Sequence, residues 1–211
     1  MSARKRPAQR QAAESQLKLL QTQLEPHMLF NTLANLRVLA GLDPARAQTM
    51  LDHLIAYLRA TLGASRATLH PLQDEFDRLA DYLALMAMRM GPRLSYQLDL
   101  PDDLASVSVP PLLLQPLVEN SIRHGLEPKL DGGSISVQAL RQGSQLVLTV
   151  SDTGLGYPAT PTPPATLGAG GFGLAQVRER LHTCYGAEGA IEIVAIPLGG
   201  TRVSISFPLK S

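Results

Sequence analysis

The spacing of apolar residues predicts helices up to about Met90. The first helix, at about residues 14–40, has one apolar face, formed by Leu29, Leu33, Leu36 and Ala40. A second helix follows a short connection, because Asp43 can cap it and Pro44 suits the first helical position. Its apolar stripe consists of Leu51, Ile55, Leu58 and Leu62, beside Met50 and Leu54. An antiparallel hairpin of this size has too small a core to stand alone, so we expect two copies to pair as a four-helix bundle.

A third helix is predicted over residues 72–90, where an apolar residue recurs at every third or fourth position. The seam consists of Leu72, Phe76, Leu79, Leu83, Met86 and Met90. Spacing of this kind gives one continuous buried face. We interpret Glu75 and Arg89 as solvated charges or as bridges between domains. His53, His70 and His182 are interpreted as structural or surface residues.

Beyond Gly91 and Pro92 the pattern changes to short β-rich runs separated by glycine clusters. Strands are predicted at residues 94–100, 134–140, 145–152, 191–196 and 201–207, and helices at about 111–126 and 173–185. Hairpins combined with segregated helices predict a two-layer α+β sandwich. The predicted fold is therefore a helical hairpin followed by such a sandwich.

Composition and charge add little to this picture. The net charge of the 211 residues is +1, which gives no global attraction to nucleic acid. The single cysteine excludes an internal disulfide and suits a reducing compartment. No apolar run approaches the roughly 20 residues of a membrane span, and no signal peptide pattern is present. The basic residues at 4–10 predict a flexible tail or a juxtamembrane segment next to acidic lipid.

In the segment QTQLEPHMLFNTL a proline directly precedes a histidine. Pro26 has no N–H for the carbonyl of Thr22, so the helix should bend there. At 100° per residue, His27 lies roughly 180° from the centre of the apolar face, and Asn31 about 40° from His27. A lone helical histidine is usually a surface or core residue. A neutral imidazole oriented by Glu25 or Asn31 is instead a nucleophile, which requires a phosphoryl donor elsewhere in the chain.

Three stretches of the second half predict a nucleotide site. LVENSIRHG places Asn120 in a helix with Arg123 and His124 one turn later. SDTGLG ends a strand at Asp152, and GAGGFGL precedes a helix. The carboxylate of Asp152 can accept the amine of adenine, and the glycines let the backbone approach the base. The amide oxygen of Asn120 suits Mg²⁺, while Arg123 and a helix N-terminus suit phosphates. Each signal alone is weak, but three in order at element boundaries are strong.

Asn120, DTGLG and GFGL resemble the N, G1 and G2 boxes of the histidine kinase and gyrase-type ATP-binding fold. LEPHMLFNTL and PPLLLQPLVENSIRHG together resemble LytS-type sensor histidine kinases, and LQDEFDRLADYLALMAMRMG resembles the linking helix of that family. The resemblance covers about residues 14–208. It implies a dimeric four-helix bundle followed by a Bergerat-type two-layer α/β ATP-binding domain. The implied parts are a tail (1–13), a dimerisation and phosphotransfer hairpin (14–66) and a catalytic domain (67–211) with linking helix 72–90 and ATP lid 157–170.

The resemblance also implies roles for individual residues. His27 would be the autophosphorylated residue, with Asn31 and Glu25 beside it, Asn120 would bind Mg²⁺, and Asp152 would bind adenine. The other nucleotide-binding positions would be Arg123, His124, Gly154, Gly156, Gly171, Phe172, Gly173 and Leu174. The chain departs from the family pattern at Glu25, where Asn is usual, and this changes the charge beside the nucleophile. The further departures roughly conserve size or charge: Met28 for Phe, Ser121 for Ala and Arg123 for Lys.

The implied function is ATP- and Mg²⁺-dependent autophosphorylation, followed by transfer to an aspartate of a response regulator of the LytTR type. Hydrolytic relatives keep a glutamate four residues before the metal-binding Asn, and here that position is Pro116. The implied partners are a second copy and a receiver domain, without nucleic acid. The implied location is the cytoplasm, as the cytoplasmic portion of an inner-membrane sensor whose membrane segments are absent from this chain. Two alternatives remain open: an ATP-binding regulator or serine kinase of the same fold, and a non-catalytic dimeric scaffold.

Overall fold

The computed structural model describes residues 26–64, 69–156, 170–197 and 199–209. The chain divides into two compact units, Met1–Ser65 and Arg66–Ser211. The basic tail, Glu25 and all but the last residue of the predicted lid lie outside the described residues, so the predictions made for them stay predictions.

The first unit contains two helices, α1 (Pro26–Leu42) and α2 (Pro44–Ala64). Asp43 separates them and caps α2, because the backbone N–H of Arg46 donates to Asp43 Oδ1 at 3.0 Å. Pro44 takes the first helical position, where its missing N–H costs no hydrogen bond. The predicted hairpin with its cap at Asp43 is therefore confirmed.

The buried face of this unit differs from the predicted stripes. Its buried residues are Met28, Thr32, Ala47, Met50, Leu54, Tyr57 and Thr61. Thr32 can be buried because its hydroxyl donates to the sulfur of Met28. Met50 and Leu54, predicted beside the second stripe, are buried, but Leu33, Leu51 and Ile55 are 45%, 40% and 44% exposed, so the predicted stripes are wrong at these three positions in the single chain. Each helix is apolar on more than one face, and these three apolar side chains remain at the surface.

The second unit is built on a five-stranded sheet with strand order β2-β4-β5-β7-β6. The strands are β2 (Leu94–Asp99), β4 (Gly133–Gln142), β5 (Gln145–Asp152), β6 (Ala190–Ala195) and β7 (Thr201–Pro208). Strand β2 is parallel to β4, and the other pairs are antiparallel. A separate two-residue pair joins β1 (His70–Pro71) to β3 (Ser108–Val109). All five strands predicted for the sheet are thus confirmed.

Helices cover one face of the sheet and complete the core. They are α3 (Leu72–Met90), the short α4 (Asp102–Ala105), α5 (Gln115–Asn120) and α6 (Gly170–Tyr185), with 3-10 turns at Gly91–Arg93 and Gly186–Glu188. Every seam residue predicted for α3 is buried, and alternate residues of β4, β5 and β7 are buried opposite the helices. The two-layer α/β sandwich is therefore confirmed. No helix of the described residues is long and apolar enough to cross a membrane.

The predicted helix over residues 111–126 ends at Leu126 as predicted, but its start and the type of its second half need correction. It begins at Gln115, because Leu112 has a φ of 60°, which no right-handed helix accommodates. From Ser121 to Leu126 the helix widens to the π form, in which the N–H of Glu127 donates to the carbonyl of Ile122 at 2.8 Å. Neither feature has a sequence signal as plain as a run of apolar residues.

Candidate nucleotide-binding site

The site is centred on the carboxylate of Asp152, the last residue of β5, which is 3% exposed. Its Oδ1 accepts the backbone N–H of Gly154 at 2.9 Å, a turn that fixes the orientation of the carboxylate. Burial raises the pKa of Asp152. Four groups lower this pKa without cancelling the effect of burial: the N–H of Gly154, the Ser121 hydroxyl, the N–H of Thr201 and the charge of Lys129.

Glycines surround Asp152 because backbones approach it too closely for a side chain. A Cβ on Gly154 would lie 2.4 Å from the Cα and carbonyl carbon of Gly125, and the N–H of Leu155 donates to the Gly125 carbonyl at 3.0 Å. A Cβ on Gly200 would lie 2.0 Å from the carbonyl oxygen of Asp152. Gly125 and Gly200 were not among the predicted site residues. Gly200 directly precedes β7, and because β7 is the neighbour of β5 in the sheet it lies against the end of β5.

Asn120 is the last residue of α5, directly before the π segment, and is partly exposed. Short π segments inside α-helices are frequent at functional sites. The next residue, Ser121, is buried and its hydroxyl hydrogen-bonds to Asp152, so the Asn120 turn and the end of β5 belong to one site. Arg123 and His124 follow within the π segment and are exposed. The structure thus brings together the predicted N-box and G1-box residues.

The predicted G2-box residues lie at the start of α6. The side chain of Phe172 and the surroundings of Gly171 are outside the described features. A Cβ on Gly173 would meet Pro116 at 3.3 Å, so Gly173 lets α6 pack closely on α5. Leu174 is 8% exposed and belongs to the core. Gly156 has a φ of 83°, a left-handed conformation that favours glycine at the end of the G1 stretch.

The predicted phosphoacceptor lies in the first unit. His27 is the second residue of α1, and its side chain is not among those described. Asn31, one turn later, is partly exposed. The roles of His27, Asn31 and Glu25 therefore remain predictions.

The interpretation of Glu75 as a solvated charge or interdomain bridge is wrong, because the residue is 1% exposed in α3 of the second unit. Burial, the largest single influence, raises its pKa, but the contact with His70, the Arg78 guanidinium and the N–H of Leu114 together bring the pKa below its usual value. His70 is a structural residue, as predicted: it is 9% exposed, with Nε2 3.0 Å from Glu75 Oε1.

Arg89 forms an ion pair with Glu127. Both residues belong to the second unit, so this pair does not bridge the two units. It joins the end of α3 to the residue that follows the π segment.

Two family models match this chain. The model described as histidine kinase matches residues 15–94, and the model described as histidine kinase-, DNA gyrase B- and HSP90-like ATPase matches residues 111–211. The second match contains Asn120 and Asp152. Together the two matches take in most of the chain and include both of the described units.

Curated relatives and solved structures agree with these models. The chain is 31% identical over 198 residues to the sensor histidine kinase BtsS of Escherichia coli, and 30% identical over 204 residues to the sensor protein LytS of Bacillus subtilis. Each alignment covers 93% of this chain but 34% of the relative, so the chain spans about a third of their length.

Among solved structures, the histidine kinase domain of a blue-light activated histidine kinase from Erythrobacter litoralis superposes with a TM-score of 0.54 at 19% identity. That match covers 92% of this chain and 94% of the other. The catalytic domain of the histidine kinase ThkA superposes with a TM-score of 0.53 at 16% identity, over 68% of this chain and 98% of that domain. These likenesses support the fold. With its Asp152 site and the two matched regions in this order, the chain belongs to the LytS-type sensor histidine kinase family.

Proposed function

We propose that the chain is the kinase core of a two-component sensor. ATP bound in the second unit phosphorylates His27, and the phosphoryl group then passes to an aspartate of a response regulator of the LytTR type. The observation that carries this proposal is the buried carboxylate of Asp152 beside glycine backbones that leave no room for a Cβ. A carboxylate held beside close-packed backbone in this way suits a flat base that hydrogen-bonds to it.

Adenine would bind against the backbone crossing of Gly125 and Gly154. The N–H of Gly154 orients the carboxylate of Asp152, which would accept the exocyclic amine of the base. The pKa of Asp152 is raised by burial, which marks an environment of low polarity. A hydrogen bond to a ligand is stronger in such an environment than in water.

Mg²⁺ would be held at Asn120, whose partly exposed amide is a hard oxygen ligand. The described residues include no cluster of three His, Cys, Asp or Glu side chains that suits a metal ion. When bound, the cation neutralises charge that develops on the phosphates during transfer. The exposed guanidinium of Arg123 adds positive charge in the same segment.

In the phosphoryl transfer, a nitrogen of His27 attacks the γ-phosphorus. The new N–P bond forms while the bond from that phosphorus to the β–γ bridging oxygen breaks, and ADP leaves. Asn31 and Glu25 orient the ring, and the imidazole proton passes to Glu25 or to water.

Two features of α5 favour transfer to a protein over hydrolysis. Pro116 stands four residues before Asn120 and has no group that could activate water. The nearby Glu119 accepts a hydrogen bond from Gln115 Nε2 at 2.8 Å, which reduces its availability as a base for water.

The partners in this proposal are a second copy of the chain and a receiver domain. Apolar side chains of the helical unit that remain exposed in a single copy would form the dimer contact: Phe30, Leu33, Val38, Leu51 and Ile55. We place the chain in the cytoplasm, where ATP and the regulator are found. Attachment to a membrane would occur through segments that this sequence does not contain.

The proposal is tested by incubation with γ-labelled ATP and Mg²⁺. The wild-type chain should take up label that acid removes, because phosphohistidine is acid-labile. Both His27→Gln and Asn120→Ala should take up none. The matched control is His182→Gln, which changes an exposed histidine of α6 and should label like the wild type.

Other outcomes of this experiment identify the alternatives. Acid-stable label on the chain or on a partner indicates a serine kinase of the same fold. Absence of nucleotide binding by calorimetry indicates a non-catalytic scaffold. Label retained in His27→Gln refutes the assigned acceptor.

A further inference from the structure

The carboxylate of Glu75 binds the backbone directly before the Asn120 helix. Glu75 Oε1 accepts the N–H of Leu112 at 2.7 Å, and Oε2 accepts the N–H groups of Leu113 and Leu114 at 3.0 Å each. Three consecutive amides therefore converge on one buried carboxylate, as in anion-binding backbone nests. Because Gln115 is the first residue of α5, these contacts define where that helix begins.

This backbone conformation depends on the carboxylate. Among the described residues other than glycine, Leu112 is the one with a positive φ, 60°. A leucine in this region is strained, and the strain persists only where the surroundings impose it. Without Glu75 the N–H groups of Leu113 and Leu114 would be buried with no acceptor, which is costly. Glu75 thus stabilises the strained conformation of Leu112. It also supplies the hydrogen-bond acceptor that the buried N–H groups of Leu113 and Leu114 cannot obtain from water.

The negative charge of Glu75 has a counter-charge, and the carbonyl groups of the same loop have hydrogen-bond donors. Arg78 Nη1 lies 2.6 Å from Glu75 Oε1 and neutralises the buried charge. Arg180 of α6 donates to the carbonyl oxygens of Pro111 and Leu112. The loop is therefore fixed through its N–H groups by α3 and through its carbonyl groups by α6.

The residues that follow the C-terminal end of the helical segment are also held by contacts from α3 and the turn after it. Arg93, the last residue of the 3-10 turn after α3, donates from Nε to the carbonyl oxygen of Leu130 and from Nη2 to those of Glu127 and Lys129, at 2.7–3.0 Å. Arg89 of α3 pairs with the side chain of Glu127. Residues 115–126 thus lie between two sets of contacts made by α3 and the turn that follows it.

We propose that Glu75 is a positioning residue that places the side chain of Asn120 for the phosphate-bound cation. It touches neither nucleotide nor cation, and it acts through the backbone of residues 112–114. Asp152 contacts this helical segment through Ser121, beyond Asn120, and not through residues 112–114, so the adenine end of the site should depend on Glu75 less than Asn120 does. The inference rests on the proposed function, since it assumes that Asn120 binds the cation.

The test measures ATP and adenosine affinity by calorimetry, each with and without Mg²⁺. In Glu75→Gln, an N–H donor replaces one of the two acceptor oxygens that face the loop. The gain in ATP affinity on adding Mg²⁺ should fall by about 10- to 100-fold, as for other residues that orient a metal ligand. Adenosine affinity should fall by less than the Mg²⁺ gain, because the residues beside Asp152 are also held from the other end of the segment by Arg93. Leu112→Gly, which removes the left-handed strain, should restore part of the Mg²⁺ gain when added to Glu75→Gln.

The matched control is Asp77→Asn, which neutralises an exposed carboxylate of the same helix that is bonded to Gln73. It should leave both affinities unchanged. If Glu75→Gln keeps the full Mg²⁺ gain, the inference is overturned while the proposed function stands. If the wild type binds no nucleotide, both are overturned.

A second measurement uses the wild-type chain, so it does not depend on the variant folding. Because coupling between sites is reciprocal, Mg²⁺ with ATP should slow amide hydrogen exchange at residues 112–114 more than adenosine does. Equal exchange with the two ligands would overturn the inference.

Discussion

The substitution Gly154→Ala tests whether the crossing of two backbones beside Asp152 forms the base pocket. A Cβ at this position would lie 2.4 Å from the Cα and carbonyl carbon of Gly125, whereas ordinary contact begins at 3.4 Å. The two backbone segments must therefore separate by about 1 Å, since neither obstacle is a flexible side chain. Overpacking of this kind costs about 1–3 kcal/mol.

Much of this cost should appear in nucleotide affinity. The free protein can relax by moving the loop that follows β5, but a bound base requires the carboxylate of Asp152 and the backbone at their original spacing. A penalty of about 1–3 kcal/mol corresponds to a 5- to 150-fold loss of affinity. Calorimetric titration with ADP and Mg²⁺ measures this loss, and thermal unfolding measures the accompanying change in stability.

The control is Gly143→Ala, in the turn between β4 and β5. Gly143 has a φ of 60°, and no atom lies within 4 Å of the position of its Cβ. Alanine there is strained by about 1–2 kcal/mol without crowding any neighbour, so the control loses similar stability by another cause. It should bind ADP like the wild type. The reasoning is refuted if Gly154→Ala binds ADP with unchanged affinity, or if both variants lose affinity equally.

Predictions at four other positions follow from the structure. Asp152→Asn should abolish ADP binding yet unfold at the same or a higher temperature at neutral pH, because the raised pKa of Asp152 means that its ionised form opposes folding above that pKa. Glu75→Gln should flatten the acid limb of stability: the lowered pKa of Glu75 contributes stability that is present above pH 4.5 and is lost as pH falls through the folded-state pKa, which a pH series of chemical denaturation measures. Asp43→Ala should destabilise the helical hairpin by about 0.5–2 kcal/mol, while Asp43→Asn should keep the cap, as seen by circular dichroism during heating. Ile55→Asp should convert the proposed dimer to a monomer in sedimentation experiments without unfolding the single hairpin, because Ile55 is 44% exposed there.

The parts of the fold that could be predicted from the sequence are those in which buried residues recur at a regular spacing along the chain. Residues of β4 and β5 alternate between buried and exposed, and the seam of α3 repeats every three or four residues. The cap at Asp43 was equally predictable, because it joins Asp43 to a backbone N–H only three residues later. These features are local, and the sequence contains all the information that they need.

The features that were missed depend on residues distant in the chain. The start of α5 is displaced to Gln115 because the N–H groups before it bind Glu75, which lies 37–39 residues earlier. Gly200 became part of the site because β7 is the neighbour of β5 in the sheet. The buried face of the hairpin was also misassigned, since both helices are apolar on more than one face and periodicity alone does not choose between them.

The position of Glu75 on the helical wheel of α3 nevertheless predicts that it is buried. At 100° per residue it falls about 40° from Leu79 and about 20° from Tyr82, inside the apolar face of α3. Both of these neighbours are at most 1% exposed. A carboxylate within such a face must be paired and hydrogen-bonded, because an isolated buried charge is too costly. Arg78, three residues later, supplies the counter-charge, so the pair could be inferred, although its backbone partners could not. A leucine at position 75 would restore the apolar pattern and still be harmful, because the amides of residues 112–114 would lose the acceptor that satisfies them.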